Sequence, residues 1–539
     1  MKQEQISSSD KLTAAKTILL TIVSIFFCTI IAVHAQDKKE HNSAGSKFIP
    51  DSLLITKPEK VTTSGIVTVE GNKIDYKAIA GTIILKNKND QPTCSMFYVA
   101  YFKSGVSDDS KRPITFLYNG GPGSASIWLH MAAWGPRRTY LEDTARVRAP
   151  YKTVNNDYSL LDVSDLVFID APGTGFSRVL TKDKGGVSKP NAFYGIDSDA
   201  NAFAQFIFNF LSDYNRWESP KYLFGESYGT FRSAAVSNIL ETKDNVDLNG
   251  VILLSQILSY ENMTDAVTEN PGNDLAYQLA LPSCTATAWY YHKLPDQPEK
   301  LEPLLKKVED FAMNEYALAL NKGAMLDSTT FKQIAEKLHQ YTGLPVPYIA
   351  KANLRITGYN FEKTLLSNSD RVTGRLDTRY SGPGMDPLGE YPLYDPQDAI
   401  TSSAIVATFN NYVRKTLQFK SKANYIAGTD LWATWDYRHH AVYQAFGDKS
   451  DNFFPNVMPD LASAMMFNPK LPVMLNMGYF DLATPYFEGI YEMHHLPMPV
   501  SLQSNITYAF YKSGHMIYLH PESHKKLHDN VAAFIERTH

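Results

Sequence analysis

Gly225-Glu226-Ser227-Tyr228-Gly229 is a G-x-S-x-G pattern whose central serine could serve as a nucleophile. A serine hydroxyl attacks poorly near neutral pH, so such chemistry needs a base, an acid to orient that base, and two N–H groups for the developing oxyanion. Candidates for each lie elsewhere in the chain. Asp481 follows the apolar run Val473 to Met477, and His515 follows Ile506 to Tyr511, which gives the order serine, acid, histidine with both partners on loops after late strands. Asp481 would fix the imidazole tautomer, while His515 would take the Ser227 proton and return it to the leaving group. The chain has 14 histidines, so one histidine alone would mean little. Order and strand context together carry the assignment. For the oxyanion, one N–H would come from Tyr228 and the other from the loop Asn119-Gly120-Gly121-Pro122-Gly123, where glycine lets backbone approach closely. That loop lacks the lysine of a phosphate-binding loop and the spacing of a dinucleotide fingerprint.

Other reactive side chains point to no second chemistry. His439-His440 and His494-His495 are adjacent pairs without metal-site spacing, so surface or structural roles are expected and no metal or other cofactor is required. Trp432, Trp435 and Tyr437 could line a substrate pocket or simply pack.

The elements that would hold these residues can be read from periodicity. Tyr222 to Phe224 reads as the end of a buried strand and Ser233 to Leu240 as a packed helix, which makes Ser227 the tip of a strand–turn–helix elbow. Ile114 to Tyr118, Asp165 to Asp170, Val251 to Leu254 and Val473 to Met477 are continuous apolar runs, as central parallel strands require. Ser198 to Leu211 has a helical pattern. Strands alternating with helices predict a doubly wound α/β sheet, preceded by an antiparallel β-meander between Gly65 and Gly105. From about Glu261 to Pro455 the alternation stops. Helical stretches at Leu301 to Leu318 and Thr329 to Tyr341 predict a mostly helical cap over the sheet's C-terminal edge, where open α/β sheets place their sites. The expected division is a signal peptide over 1–35, a flexible polar segment over 36–60, core over 61–260 and 456–539, and a cap over 261–455.

Hydrophobic residues make up 44% and charged residues 20% of 539, ordinary for a globular chain, and a net charge of −4 gives no reason to expect nucleic acid or an anionic membrane as partner. Lys11 and Lys16 precede the apolar run Thr17 to Val33, and Val33-His34-Ala35 offers small residues to a signal peptidase. This reads as a cleaved secretory signal, hence an exported protein, periplasmic or secreted, with no membrane partner once the signal is removed; an uncleaved anchor is the alternative. Of three cysteines, Cys28 lies inside that run, which leaves Cys94 and Cys284 able to form one bridge at most.

Asn119 to Ser126, Asp170-Ala-Pro-Gly-Thr-Gly-Phe-Ser177, Gly225 to Gly229, Asp481 in its loop and Ser513-Gly-His-Met516 together resemble the signature blocks of the serine carboxypeptidase family, in that family's order, from about Thr62 onward. The resemblance implies an α/β-hydrolase fold with a helical cap insertion, and release of C-terminal residues from peptides with a free C-terminus through an acyl-enzyme. It implies Ser227, Asp481 and His515 as the triad and the N–H groups of Gly121 and Tyr228 as the oxyanion hole. It also implies Asn119, Gly120, Glu226 and Met516 as substrate contacts, with the terminal carboxylate held by Asn119, Gly120 and two acids sharing a proton. Here the sequence departs from the family. Glu226 is present, but the second acid's position is Ala133, and Ser124 replaces a usual cysteine. Glu226 alone could serve if it stays neutral, or Arg137 or Arg138 could bind the carboxylate. An esterase or acyltransferase on the same triad, and a catalytically silent binding protein, are the alternative functions.

Overall fold

The apolar runs become strands of one sheet, and their order in it brings the candidate residues to a common edge. The computed structural model describes residues 57–539 apart from 266, 268–270, 299, 441 and 443–454. The expected signal and nearly all of the expected polar segment lie outside the described residues. Strands β1 (Lys60–Val69), β2 (Asn72–Lys86) and β3 (Pro92–Lys103) form the antiparallel meander. Strand β2 runs straight through Gly81, whose backbone stays paired with Tyr98 on β3.

Then follow β4 (Ile114–Tyr118), the short β5 (Arg137–Thr139) and β6 (Thr153–Asn155), β7 (Asp165–Ile169), β8 (Arg178–Val179), β9 (Lys221–Glu226) and β10 (Gly250–Leu254). The short pair β11 (Arg371–Thr373) and β12 (Ser381–Pro383) precedes β13 (Val473–Gly478) and β14 (Ile506–Tyr511). The main sheet has ten strands in the order β1-β2-β3-β7-β4-β9-β10-β13-β14, with β8 paired to β3. From β7 to β14 every neighbour is parallel, whereas β3 meets β7 antiparallel. The chain leaves β4 towards β7 and later places β9 on the other side of β4. Such a change of direction opens a crevice at the carboxyl ends of the strands it separates.

Alternate side chains of each parallel strand enter different cores. Leu223, Val251, Leu253, Val473 and Leu475 pack under helices α1 (Ile196–Asp213) and α2 (Tyr228–Thr242). Tyr222, Phe224, Ile252, Leu254 and Met474 face the opposite layer. Between β10 and β13 the chain forms α3 (Leu275–Tyr290), α4 (Leu301–Phe311), α5 (Ala317–Lys322), α6 (Ser328–Thr342), α7 (Val346–Lys351), α8 (Gly358–Thr364), α9 (Pro396–Asn411) and α10 (Met458–Phe467). Many of these helices share a third apolar cluster built on Cys284, Phe311, Leu338 and Phe361. The pattern read as one helix over Leu301 to Leu318 is α4 followed by a wider π-type turn, Ala312–Tyr316, and then α5. Helices α11 (Tyr486–His494) and α12 (Pro521–Thr538) complete the chain; α12 packs Leu527, Val531 and Phe534 onto the second face.

Cys94 and Cys284 are free buried thiols in different clusters, so they do not form the bridge the sequence allowed. Among the described residues no helix is long and apolar enough to cross a membrane.

An extended stretch from Asn424 to His440 runs past the crevice, bridging to Gly175, Ser124 and Gly195 in turn through Ile426, Gly428 and Asp436. Its far end is pinned by a buried imidazole. His439 Nδ1 lies 2.6 Å from Asp197 on α1, and Nε2 lies 2.8 Å from Asp460 on α10. Burial alone would depress this ring, but the hydrogen bonds and charges of the two aspartates outweigh it and push it up to about 9. A raised histidine stabilises fully below its unfolded pKa, about 6.5, and that contribution is lost as pH rises through the folded value. Thermal unfolding should therefore show Tm falling between about pH 6.5 and 9, and falling less in His439→Ala. At pH 6 the substitution should cost about 3 kcal/mol, because it takes the cation from the buried Asp460 carboxylate.

Candidate active site

Ser227 ends β9 and starts α2 with φ 61° and ψ −131°, a region that non-glycine residues rarely occupy. The turn survives because its neighbours are glycines. A Cβ on Gly225 would lie 2.1 Å from the Gly229 carbonyl oxygen, and one on Gly229 would lie 2.8 Å from that of Tyr118. The result is a half-buried serine at the tip of the elbow. Its N–H donates to the Leu254 carbonyl (3.0 Å) at the end of the adjacent β10.

His515 stands two strands further along. Its backbone carbonyl accepts from the Ser255 hydroxyl (2.6 Å), the residue just after Leu254, and its N–H donates to Leu376 (2.7 Å). The last residue of β10 and the first residue after it thus hold Ser227 and His515. The ring's Nδ1 lies 2.7 Å from Asp481 Oδ2. Asp481 itself is fixed on both oxygens: Ala483 and Thr484 donate backbone N–H groups to Oδ1 (2.8 and 3.0 Å), and the Thr484 hydroxyl donates to Oδ2 (2.8 Å). Burial would depress the His515 pKa, but the Asp481 carboxylate, followed by Glu226, holds it above the ordinary imidazole range; Arg375 opposes them. With Nδ1 bonded to a carboxylate, Nε2 is left to accept a proton.

The glycine-rich loop packs directly on the start of α2. A Cβ on Gly120 would fall 2.4 Å from the Tyr228 nitrogen, which is only possible for glycine. Gly121 follows at φ +107°, and the Ser124 N–H closes the turn on the Gly120 carbonyl (3.0 Å). The loop's approach is held from below by a buried ion pair. Arg232 on α2 donates through Nε to Asp199 on α1 (2.6 Å) and through Nη1 to the Asn119 carbonyl (2.8 Å), with its guanidinium 4.2 Å from the centre of the Phe203 ring. Asp170 ties the loop to its neighbour by accepting from the Ser126 N–H (2.9 Å) and hydroxyl (2.8 Å) and from the Tyr425 hydroxyl (3.1 Å). Burial pushes its carboxyl up to about 6 against those donors.

Glu226 is buried beneath the elbow, and burial pushes it up to about 7, against lowering by His515, Tyr518 and Asn119. Met516 is buried too, its sulfur accepting from Gln397 Nε2 at 3.1 Å. Ala133 is fully buried, and its carbonyl is taken by Asn156 (2.7 Å) and His524 (3.0 Å). Of the two arginines considered as substitutes for an acid there, Arg137 is engaged elsewhere, whereas Arg138 lies near His524, whose ring reaches the Ala133 carbonyl. Arg137 reaches the Ile66 carbonyl on β1, and Arg138, the next residue of β5 and so on its opposite face, lies among Asp157, Tyr158 and Tyr140. Trp435 packs edge-on to Tyr228 (5.4 Å), whereas Trp432 is exposed and meets Tyr260.

Sequence reasoning passed over Thr484, Ser255, Arg232 and Tyr518. Thr484 sits three residues after Asp481, a spacing that hints at a local hydrogen bond; the other three act across long sequence separations and left no local signal.

The description "Serine carboxypeptidase" belongs to the family model that matches residues 71–528. The pheromone-processing carboxypeptidase KEX1 of Saccharomyces cerevisiae is 28% identical over 155 residues, 28% of this chain and 20% of that protein. A carboxypeptidase Y homolog of Arthroderma benhamiae is 32% identical over 157 residues, 29% of this chain and 28% of that one. The matched region thus spans only a fifth to just over a quarter of these relatives' own length. In three dimensions, the solved structure of Kex1(delta)p, a prohormone-processing carboxypeptidase from Saccharomyces cerevisiae, matches with a TM-score of 0.52 at 16% identity, covering 86% of this chain and 91% of that one. The common architecture is the α/β-hydrolase fold.

The electrostatics of the ring are testable by NMR titration of the His515 imidazole. Asp481→Asn should lower its pKa most and Glu226→Gln should lower it less. An unchanged titration in Asp481→Asn would mean that the carboxylate does not govern the ring.

Proposed function

The chain belongs to the serine carboxypeptidase family, and from that premise we propose that it removes residues from the free C-terminus of peptides through an acyl-enzyme on Ser227. The observation that carries the reading is the 2.7 Å contact of His515 Nδ1 with Asp481 Oδ2, at an edge where successive residues at the end of β10, Leu254 and Ser255, hold Ser227 and His515.

His515 accepts the Ser227 proton at Nε2 as the serine oxygen bonds to the scissile carbonyl carbon. The carbonyl oxygen becomes an oxyanion, for which the N–H groups of Gly121 and Tyr228 are the donors; Tyr228 opens α2, so its N–H has no helical acceptor. As the C–N bond breaks, the imidazolium gives its proton to the departing amine. Water then repeats the sequence on the ester, with His515 again the base, and Ser227 is regenerated.

Exopeptidase selectivity requires that the terminal carboxylate be recognised. Asn119, the Gly120 N–H and Glu226 are the groups for it, with Met516 at its side. A buried carboxyl that stays neutral up to about pH 7 can donate a hydrogen bond to a carboxylate, which favours this reading over an esterase. In this reading residues 261–455 form the cap that shapes the peptide cleft, and residues 1–35 direct export.

Ser227→Ala should reduce turnover by about 10⁴-fold or more and leave the fold intact by circular dichroism. A fluorophosphonate probe should label Ser227 and no other serine. Mass spectrometry of a mixed peptide library should show stepwise loss from the C-terminus; internal cleavage, or activity on esters alone, would refute the carboxypeptidase assignment.

A further inference from the structure

We propose that Tyr518 is the positioning residue that orients a lone Glu226 for the substrate's terminal carboxylate, and that its hydroxyl sets the upper pH limit of that recognition. The inference rests on the carboxypeptidase reading and deepens it.

Glu226 Oε2 accepts a hydrogen bond from the Tyr518 hydroxyl at 2.9 Å, wholly within the protein. The Asn119 side chain also faces both groups and lowers the pKa of each. Its orientation is fixed, because Asn119 Oδ1 accepts the Leu129 N–H (3.1 Å) and the amide nitrogen is left to face the pair. Tyr518 arrives on the 3₁₀ turn Ile517–Leu519, which packs against the turn Leu129–Trp134 that contains Ala133. Where a second carboxyl is missing, a phenol therefore partners Glu226.

The exchange alters the titration. Two carboxyls would share one proton, whereas burial, and then the charge of Glu226, raise the Tyr518 hydroxyl well above the ordinary tyrosine range, so it never gives up its proton. Glu226 alone changes state. The groups facing it are His515 on the β14 loop, Tyr518, Asn119 on the β4 loop and Asp481 on the β13 loop. Neutral, Glu226 can donate to a substrate carboxylate; ionised, it repels one. A hydroxyl donating to Oε2 stabilises the ionised form, so Tyr518 pulls the changeover to lower pH than burial alone would set.

The experiment is the ratio of KM for a peptide acid to KM for its C-terminal amide, measured against pH, in which titration of His515 cancels. In the wild type the ratio should climb as pH passes about 7. Tyr518→Phe removes the donor and should move the midpoint up by about one pH unit. Replacing Tyr518 with 3-fluorotyrosine, an isosteric and stronger donor, should move it down, which keeps the test open if the phenylalanine variant misfolds. Glu226→Gln should flatten the ratio. A sloping ratio unmoved by either change at Tyr518, or moved in the opposite directions, overturns the inference alone. A wild-type ratio near one at every pH overturns the underlying reading of Glu226 as well.

Discussion

The site depends on how closely two stretches of backbone can lie. The loop after β4 rests on the first turn of α2 at a distance that no side chain at Gly120 would permit, since a Cβ there would penetrate the Tyr228 nitrogen. In the proposed mechanism that contact sets the amide pair for the oxyanion before any substrate arrives, which is where preorganised electrostatics gain most. It is kept closed by Arg232, whose guanidinium spans Asp199 on α1 and the Asn119 carbonyl on the loop. Replacing such a pair by apolar residues could stabilise a protein, so here its value lies in geometry: a directional fork fixes three elements at once.

Topology supplies the rest. A parallel sheet sends all its carboxyl ends to one edge, and the order β4-β9-β10-β13-β14 lines up the glycine-rich loop, Ser227, Ser255, Asp481 and His515 in succession. Each loop then needs only local bonds to aim its side chain. Thr484 and two amides fix Asp481, and Ser255 and Leu376 fix the His515 backbone. The stretch Asn424 to His440 covers the near side, and its anchorage through His439 to α1 and α10 ties that cover to the body of the fold.

Proton positions across the site are coupled. Glu226 and Asp481 both raise His515, while His515 in turn lowers Glu226. A buried carboxyl beside a buried imidazole can keep its proton at mildly acidic pH only because burial opposes its ionisation more strongly than its hydrogen-bond donors favour it. The balance at Glu226 is thus set by how many donors reach it, and Tyr518 is one of them.

The sequence by itself determined the strands and the elbow. The continuous apolar run Ile114 to Tyr118 matches β4 end to end, because a strand covered on both faces tolerates little else. The G-x-S-x-G spacing likewise forced the turn at Ser227, since bulkier flanking residues would collide with backbone. Contacts between distant segments were settled only in three dimensions: free thiols at Cys94 and Cys284 in separate clusters, Arg137 bonded to the Ile66 carbonyl, and Trp435 packed on Tyr228. The partner of Glu226 belongs to the same group. Periodicity reports which face of an element is buried, but which phenol meets which carboxyl depends on how whole layers pack, and no local pattern encodes that.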